Sequence, residues 1–314
     1  MKKVLNILLI ILFCLVLFGC KEKIDESMYD IGLSQDFPKG NGLADGNGEK
    51  ASVLILIGQS NCTGCSITSY LKDQVTEEDF NRYQEGYENI LINFNLDNGR
   101  TTSNGRFVKV DLMCGSTDLQ FGPEVGLADE LVKANPNKKV FILKYSMSGY
   151  SLNWHWLRHK KRGEIYNDFK NFATIYLDYL KEMNYDISLD AILWMQGESD
   201  TAKDNSLRYY RNQVAFISFL REDFNKYSKQ ENIYFIDAGI SDSPYCLPGY
   251  PTINKSKEKI AKLSKYNIYF PTIENGLTTM NEPYYEPDLG HYDALSMLKL
   301  GQLYAKEVLF IYGG

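Results

Sequence analysis

The sequence predicts an α/β protein, a three-layer α/β/α sandwich around a mostly parallel central sheet. Four short runs of aliphatic and aromatic residues, each long enough for one buried strand, alternate with longer segments whose apolar residues recur at helical spacing. Strands that are apolar on both faces are typical of parallel sheets covered by helices. Their alternation with helices predicts the layered arrangement.

The elements follow one another in a regular order. Proline costs no hydrogen bond in the first turn of a helix, and an early glutamate suits the helix dipole, so a helix is predicted to begin at Gly122-Pro123-Glu124. Two short charged helices are predicted between residues 69 and 88, and longer helices over 166–183, 207–224, 254–264 and 293–309. The predicted strands cover residues 53–57, 139–145, 191–195 and 233–236.

The length and the net charge of the chain limit the number of domains and the partners that are expected. The chain has 314 residues, which is enough for one catalytic domain of roughly 250 residues. Its formal net charge is −6, which gives no electrostatic attraction to nucleic acid or to anionic membrane surfaces. Nucleic acid is therefore not an expected partner.

The N-terminus has the three-part layout of a bacterial secretory signal. Lys2 and Lys3 precede an almost uninterrupted apolar run over residues 4–18, which Gly19 and Cys20 follow. An uncleaved transmembrane anchor is the alternative, but the run is shorter than the roughly 20 residues that a span requires. The sequence thus predicts a signal peptide over 1–19, a flexible polar tether over 20–50 and one domain over 51–314.

Cys20 lies where bacterial lipoproteins carry their lipid. The segment that ends in Gly19-Cys20 resembles a lipobox, and this resemblance implies that Cys20 becomes the lipidated first residue of the mature protein. It implies an exported bacterial lipoprotein, anchored to a membrane through its N-terminal lipid and located in the periplasm or at the cell surface.

Cys62 and Cys65 form a CxxC pair just after the first strand. Export to an oxidising compartment makes a disulfide possible, and the spacing is also found in redox and metal sites. A single CxxC is weak evidence for zinc. The CxxC pair begins two residues after Ser60, and this position favours a local structural role.

Four polar clusters follow strands or precede the last helix. Ligands of open α/β sheets bind outside the carboxyl ends of the strands, so the clusters are expected to meet in one site. We call them the first cluster (Gly58-Gln59-Ser60-Asn61), the second cluster (Ser148-Gly149-Tyr150), the third cluster (Gln196-Gly197-Glu198-Ser199-Asp200) and the fourth cluster (Asp288-Leu289-Gly290-His291).

Ser60 and the fourth cluster together indicate nucleophilic catalysis. A serine needs a base to act as a nucleophile, and the chain has 3 histidines. Asp288 precedes His291 by three residues, so its carboxylate can hold one imidazole nitrogen while the other faces outward. The alternatives are a histidine bonded to backbone and an aspartate that caps a helix. A serine at the end of a strand favours the catalytic interpretation.

The first, third and fourth clusters resemble those of the SGNH (GDSL-like) hydrolase superfamily, whose fold is flavodoxin-like. The most similar branch is the sialate O-acetylesterase-like carbohydrate esterases, which are related to acetylxylan esterases. The resemblance covers about residues 52–305. It implies Ser60 as the nucleophile, His291 as the base and Asp288 as the residue that orients it.

The same resemblance assigns an oxyanion hole and supporting residues. It implies that the backbone N–H groups of Ser60 and Gly149 and the Gln196 side chain stabilise the oxyanion. Glu198 is implied as a supporting carboxylate that bonds the first cluster, with Gln59 and Asn61 beside it. Gln59 and Asn61 as turn residues, and Glu198 as a helix cap, are the alternatives.

Aromatic and histidine side chains follow the second cluster. Trp154 and Trp156 are either a platform that stacks on a sugar ring or the core of a packed loop. His155 and His159 have helical i, i+4 spacing, but no third ligand lies near them in sequence, so a metal site is not expected.

These observations favour an exported serine esterase that removes O-acetyl groups from a carbohydrate through an acyl-enzyme. The expected partners are an acetylated carbohydrate substrate and a membrane, and no cofactor or metal is expected. Two alternatives remain open, a non-catalytic glycan-binding surface lipoprotein and a lipid or thioester hydrolase on the same fold. A long apolar groove beside Ser60 would favour the latter.

Overall fold

A computed structural model of the chain describes residues 35–158, 162–279, 282 and 288–313. The predicted signal peptide, Cys20 and His159 lie outside these residues. In the part of the chain that is described, no helix is long and apolar enough to cross a membrane.

The central sheet is built around its first strand, which is buried on both faces from Ala51 onward. Strands are numbered β1 to β10 in chain order, and the main sheet has the order β10-β9-β8-β1-β7-β3-β4, with β5 paired to β3. The pairs β8/β1, β1/β7, β7/β3, β8/β9 and β9/β10 are parallel, whereas β4 and β5 are antiparallel to β3. The separate pair β2/β6 is antiparallel. The strands are β1 (Lys50–Gly58), β2 (Ser66–Ile67), β3 (Ile90–Leu96), β4 (Thr101–Thr102), β5 (Val108–Lys109), β6 (Gln120–Phe121), β7 (Lys139–Ser146), β8 (Asp186–Met195), β9 (Tyr234–Ala238) and β10 (Asn267–Phe270).

Helices cover both faces of this sheet. Successive side chains of a strand point to opposite faces, and in β7 Tyr145 packs against Phe169 and Phe172 of one helix while Lys144 pairs with Glu124 of another. The helices are α1 (Ser60–Thr63), α2 (Thr68–Lys72), α3 (Glu77–Glu85), α4 (Glu124–Ala134), α5 (Glu164–Glu182), α6 (Lys203–Phe224), α7 (Tyr250–Ala261) and α8 (Ala294–Gly313). The structure confirms the three-layer α/β/α prediction.

Two strands of the parallel sheet, β3 and β10, are absent from the sequence prediction. In β3 the apolar run is broken by Asn93 and Asn95, which are buried, so the segment lacks the continuous apolar pattern of β1. β10 is only Asn267–Phe270, too short to give a clear pattern.

Residues 35–49 correct the tether prediction. The ring of Phe37 packs edge-on against Tyr145 and Phe172, with centroid distances of 6.1 and 5.4 Å. The Tyr176 hydroxyl donates a hydrogen bond of 2.8 Å to the carbonyl of Pro38. An aromatic side chain that reaches the core and a bonded backbone make this stretch part of the domain, so the tether prediction does not hold for it.

Candidate active site

Ser60 lies at the carboxyl end of β1, the central strand. A Cβ atom on Gly58 would lie 1.9 Å from the carbonyl oxygen of Met195, so only glycine lets the end of β1 approach β8 this closely. Ser60 then opens α1 and is 8% exposed. Since β7 and β8 flank β1, the second and third clusters follow the two neighbouring strand ends.

A buried lysine fixes the far end of α1. Lys144 Nζ donates to the carbonyls of Thr63 at 2.9 Å and Cys114 at 2.7 Å, and to Glu124 Oε2 at 2.6 Å. Lys144 and Glu124 are both fully buried. The three bonds use all three donors of the ammonium group, which therefore acts as a rigid support under the nucleophile loop.

A second buried lysine supports the third cluster in the same way. Lys257 Nζ donates to the carbonyls of Gln196 at 2.7 Å and Ala238 at 2.8 Å, and to Asp237 Oδ1 at 2.6 Å. Burial raises the pKa of Asp237 to about 6, although Lys257 opposes the shift. Neither lysine was predicted as a site residue, although the position of Lys144 within the apolar strand 139–145 indicates a buried, paired charge.

Gln59 and Asn61, on either side of Ser60, connect the other clusters to it. Gln59 Oε1 accepts from the backbone N–H groups of Gly197 at 3.4 Å and Ser199 at 3.2 Å. Asn61 Nδ2 donates to Glu198 Oε1 at 2.7 Å. The first and third clusters are thus joined through side chains on both sides of Ser60.

Asn61 also holds the fourth cluster. Its Oδ1 accepts from the N–H of Tyr292 at 3.0 Å, and its Nδ2 contacts the carbonyl of Gly290 at 3.3 Å. These two residues flank His291. The residue after the candidate nucleophile therefore fixes the backbone of the candidate base.

Asp288 and His291 form the expected pair. His291 Nδ1 lies 2.7 Å from Asp288 Oδ2, and Asp288 Oδ1 accepts from the N–H groups of Gly290 at 2.9 Å and His291 at 3.2 Å. The hydrogen bond to His291 lowers the pKa of Asp288. Burial acts to lower the pKa of His291, but hydrogen bonds with Asp288 and Cys65 outweigh it and raise the pKa to about 10.

Cys65, which was not predicted as a site residue, lies beside the imidazole. Its Sγ donates to the carbonyl of Ser60 at 3.6 Å. Among the described residues no hydrogen bond joins Ser60 Oγ to His291. The cysteines at 62, 65, 114 and 246 are all free thiols, so the possible Cys62–Cys65 disulfide is not formed in this structure.

The second cluster presents Gly149 with φ of +77°, a conformation that favours glycine. Its neighbour Ser148 is held by Asp97, whose Oδ1 accepts from the Ser148 N–H at 2.7 Å and whose Oδ2 accepts from the hydroxyl at 3.0 Å. Ser148 Oγ also lies 3.3 Å from Thr63 Oγ1 of α1. Asp97 was missed because β3 was missed, although Asp97-Asn98-Gly99 is a turn signal at a strand end.

Gln196 does not have a free donor for an oxyanion. Its Nε2 donates to Asp200 Oδ2 at 2.7 Å and to the carbonyl of Tyr150 at 3.3 Å, which uses both amide hydrogens. Asp200 in turn accepts from the N–H groups of Leu152 at 2.6 Å and Asn153 at 3.1 Å. This geometry corrects the expected role of Gln196, whose side chain connects the second and third clusters.

The two tryptophans after the second cluster lie in different environments. Trp154 is 50% exposed, and the Arg162 guanidinium lies 4.0 Å from its ring centroid. Trp156 is 0% exposed and packs edge-on against Trp194 at 5.2 Å. A fully buried indole cannot stack on a sugar, so the prediction is corrected for Trp156, whereas Trp154 remains available.

His155 stabilises the loop in which it lies. Its Nδ1 accepts from the N–H of Ser151 at 3.1 Å, and its ring lies 4.4 Å from that of Tyr150. Within residues 35–158, 162–279, 282 and 288–313, no group of three or more His, Cys, Asp or Glu side chains is arranged to hold a metal ion.

The model of a protein family described as "Carbohydrate esterase, sialic acid-specific acetylesterase" matches residues 50–310. The chain belongs to this family. It is therefore related to carbohydrate acetylesterases, hydrolases that act on ester bonds, and the resemblance inferred from the first, third and fourth clusters is confirmed. No curated protein gives a significant sequence match.

Solved structures share the fold at low sequence identity. NanS has a TM-score of 0.60 at 11% identity, with 85% of this chain and 98% of NanS covered. A protein from Arabidopsis thaliana has a TM-score of 0.59 at 18% identity, with 82% and 97% covered. A carbohydrate acetylesterase from Xanthomonas citri has a TM-score of 0.51 at 12% identity, with 84% and 57% covered.

Proposed function

We propose that this esterase removes O-acetyl groups from a carbohydrate with Ser60 as its nucleophile, His291 as its general base and Asp288 as the residue that orients His291. The observation that carries the proposal is the Asp288–His291 pair, 2.7 Å apart and held by Asn61, the residue next to Ser60. A carboxylate on Nδ1 leaves Nε2 to exchange a proton with a serine hydroxyl.

The proposed reaction has two stages, formation and hydrolysis of an acyl-enzyme. Ser60 Oγ attacks the ester carbonyl carbon as the neutral form of His291 takes its proton, and the charge develops on the carbonyl oxygen. The tetrahedral intermediate collapses, the sugar hydroxyl leaves with the proton from His291, and acetyl-Ser60 remains. His291 then activates a water molecule that releases acetate and restores Ser60.

The backbone N–H groups of Ser60 and Gly149 are the proposed oxyanion donors. Both belong to loops that other clusters hold in place, so they can be oriented before the charge develops. Removal of one such donor typically costs about 3–4 kcal/mol of transition-state stabilisation. Gln196 contributes by holding Tyr150 and Asp200 at the edge of the same loop.

The experiment compares Ser60→Ala with Ser264→Ala, a control at a partly exposed serine in the loop between α7 and β10. Ser60→Ala is expected to lose hydrolysis of an aryl acetate and of acetylated glycans while it keeps the circular dichroism spectrum of the wild type. Ser264→Ala is expected to retain activity. Mass spectrometry of the quenched wild-type reaction should show an acetyl group on Ser60, and turnover by Ser60→Ala would refute the mechanism.

A groove next to the site supports a second candidate, hydrolysis of lipid or thioester substrates with longer acyl chains. Its volume is about 820 Å³, and Ile67, Leu112, Met113 and Leu119 contribute apolar side chains. Gln120, which also lines the groove, binds the carbonyl of Cys65 at 2.8 Å. A series of aryl esters from acetate to octanoate separates the two: a preference for acetate supports the carbohydrate acetylesterase, and a preference for octanoate supports the second candidate.

We also propose that the protein is exported as a lipoprotein and anchored to a membrane through Cys20. The basic start, apolar run and Gly19-Cys20 of the sequence support this. Metabolic labelling with a fatty acid is expected to mark the wild type and not Cys20→Ala. Equal labelling of both would refute the anchor.

A further inference from the structure

Cys65 lies close to both residues of the proposed proton transfer. Its thiol donates to the carbonyl of Ser60 at 3.6 Å. With Asp288 and His291 it also lines a cavity of about 10 Å³. Its own backbone is fixed, because Gln120 Nε2 donates to the Cys65 carbonyl at 2.8 Å, and Ser66 Oγ donates to the carbonyl of Tyr292 at 2.6 Å.

The other thiols in the described part of the chain have no comparable position. Cys62, Cys114 and Cys246 are buried, whereas Cys65 is partly exposed. Cys62 lies in α1 and is not paired with Cys65. The CxxC pattern therefore contains one core residue and one thiol that faces the candidate base.

We propose that Cys65 is a positioning residue for His291: its thiol holds the imidazole beside the nucleophile loop until the hydroxyl of Ser60 takes over that contact. The inference rests on the proposed function, in which His291 is the base. Asp288 engages Nδ1, so the remaining nitrogen needs a partner in a half-buried site. The thiol hydrogen is directed at the Ser60 carbonyl, so the sulfur can only accept a hydrogen bond from Nε2–H of the protonated imidazole. A thiol sulfur is a weak acceptor, so a serine hydroxyl can displace it.

The groups around His291 set the pKa of its imidazole, so a change in that pKa reports on the contact with Cys65. Asp288 lies on the same loop, Cys65 approaches from the nucleophile loop, and Glu282 and Asp293 line the same cavity. Asp293 Oδ1 accepts from the N–H of Ser296 at the start of α8. Burial lowers the pKa of His291. Of these groups, Asp288 and Cys65 raise that pKa through hydrogen bonds. Removal of the thiol should therefore lower that pKa.

An NMR titration tests the contact without any reference to activity. The chain has 3 histidines, so the imidazole signals are few, and a His291→Gln sample assigns the one of interest. In a Ser60→Ala background, Cys65→Ala is expected to lower the pKa of His291, and Cys65→Ser to restore it at least in part. Cys114→Ala removes a buried thiol elsewhere and is expected to leave it unchanged. An unchanged pKa in Cys65→Ala would overturn the proposal.

Steady-state kinetics test whether the contact between Cys65 and His291 affects catalysis. Cys65→Ala is expected to lower kcat on an aryl acetate by about 10-fold to 100-fold, as for a slightly misplaced catalytic group, with little change in KM. Cys65→Ser should recover part of kcat. A loss confined to KM, or no loss at all, would contradict the proposal.

Thiol modification gives a reversible version of the test. The Cys65 thiolate attacks the sulfenyl sulfur of methyl methanethiosulfonate, an S–SCH₃ disulfide forms and methanesulfinate leaves. Esterase activity is expected to fall and to return with dithiothreitol, while Cys65→Ser is unaffected by the reagent. Full activity after complete modification of Cys65 would refute the positioning role. If Ser60→Ala remains active while the NMR shift is observed, it is the proposed function that fails and not the contact.

Discussion

Asn61 Nδ2 donates a hydrogen bond of 2.7 Å to Glu198 Oε1 and so joins the loop after β1 to the loop after β8. The other oxygen of Glu198, Oε2, is buried and accepts no hydrogen bond from the described residues. A carboxylate whose second oxygen is buried without a partner depends strongly on the hydrogen bond to its first oxygen. Asn61 also fixes the backbone around His291, so one side chain couples three clusters.

Asn61→Ala is expected to lower both stability and activity. The substitution leaves Glu198 and the N–H of Tyr292 without their partner, and each unsatisfied buried group costs about 1–3 kcal/mol. Urea unfolding should show this loss, and kcat/KM should fall further because His291 is no longer fixed. Glu198→Gln is the matched control, since its amide oxygen still accepts from Asn61. An equal loss of stability and of kcat/KM in both variants would show that these depend on the charge of Glu198 and not on its hydrogen bond with Asn61.

The buried Lys144–Glu124 pair should be essential for stability. Lys144→Met leaves Glu124 as an unpaired buried charge and removes the donor to Thr63, and breaking such a pair typically costs about 3–5 kcal/mol. The double variant Lys144→Met/Glu124→Leu should recover much of this free energy of unfolding. The exposed pair Lys262–Glu258 has the same 2.6 Å separation, and Lys262→Met should have little effect. A similar loss at both sites would contradict the assignment of the cost to burial.

The sequence was sufficient to predict the layers of the fold and the convergence of the clusters. β1 is apolar on both faces, which identifies a central parallel strand, and the carboxyl ends of such strands meet at one edge. Asp288 and His291 are close because they are three residues apart, so local spacing was enough to predict their pairing. Their link to Ser60 through Asn61 is long-range and follows only from the fold.

The features that could not be predicted from the sequence depend on packing. Trp154 and Trp156 are two residues apart in one loop, yet one is exposed and the other is in the core, and no periodicity distinguishes them. The Gln196 amide was expected to face the substrate, whereas the fold places Asp200 and Tyr150 within its reach. The cavity that Cys65 and His291 both line brings together distant segments of the chain, and the CxxC pattern favoured only a local role.

Gly149→Ala should impair catalysis more than it impairs the fold. Gly149 has φ of +77°, and an added Cβ meets no atom within 4 Å, so the effect of alanine is conformational. Gly48 is a matched control with φ of +78° and the same open surroundings, remote from the clusters. Both substitutions should cost about 1–2 kcal/mol of stability, but only Gly149→Ala should lower kcat on an aryl acetate. Equal kcat values for the two variants would remove Gly149 from the oxyanion hole.

The Asp288–His291 pair should give stability a specific pH dependence. The pKa of His291 is raised from its ordinary value of 6.5 to about 10, so the protonated imidazole stabilises the folded state fully below pH 6.5. This contribution is lost as the pH rises through 10. Urea unfolding between pH 6 and pH 10 should therefore show a decline that is smaller in Asp288→Asn, since the hydrogen bond with Asp288 is the largest of the interactions that raise the pKa. Parallel curves for the two proteins would contradict the shift.

Substitution of Trp154 is expected to affect the hydrolysis of carbohydrate substrates more than that of simple esters. Its exposed indole lies under the Arg162 guanidinium, with 4.0 Å between the cation and the ring centroid, so this ring face already has a partner and the opposite face can contact a sugar. Trp154→Ala should raise KM for an acetylated oligosaccharide by about fivefold, equivalent to the roughly 1 kcal/mol of one aromatic contact. An aryl acetate needs only the acyl site, so its kcat/KM should change by less than about twofold on the same scale.

Arg162→Ala is the control for this interpretation, because it removes the cation and keeps the indole. If the ring itself binds the sugar, Arg162→Ala should raise KM less than Trp154→Ala does, with a neutral oligosaccharide as substrate. If Arg162 recognises a carboxylate, its substitution should affect acidic acetylated sugars more than neutral ones. Unchanged KM values for every acetylated glycan in both variants would place the sugar elsewhere on the carboxyl edge of the sheet, where the exposed Tyr245 in the loop after β9 is the next aromatic side chain to test.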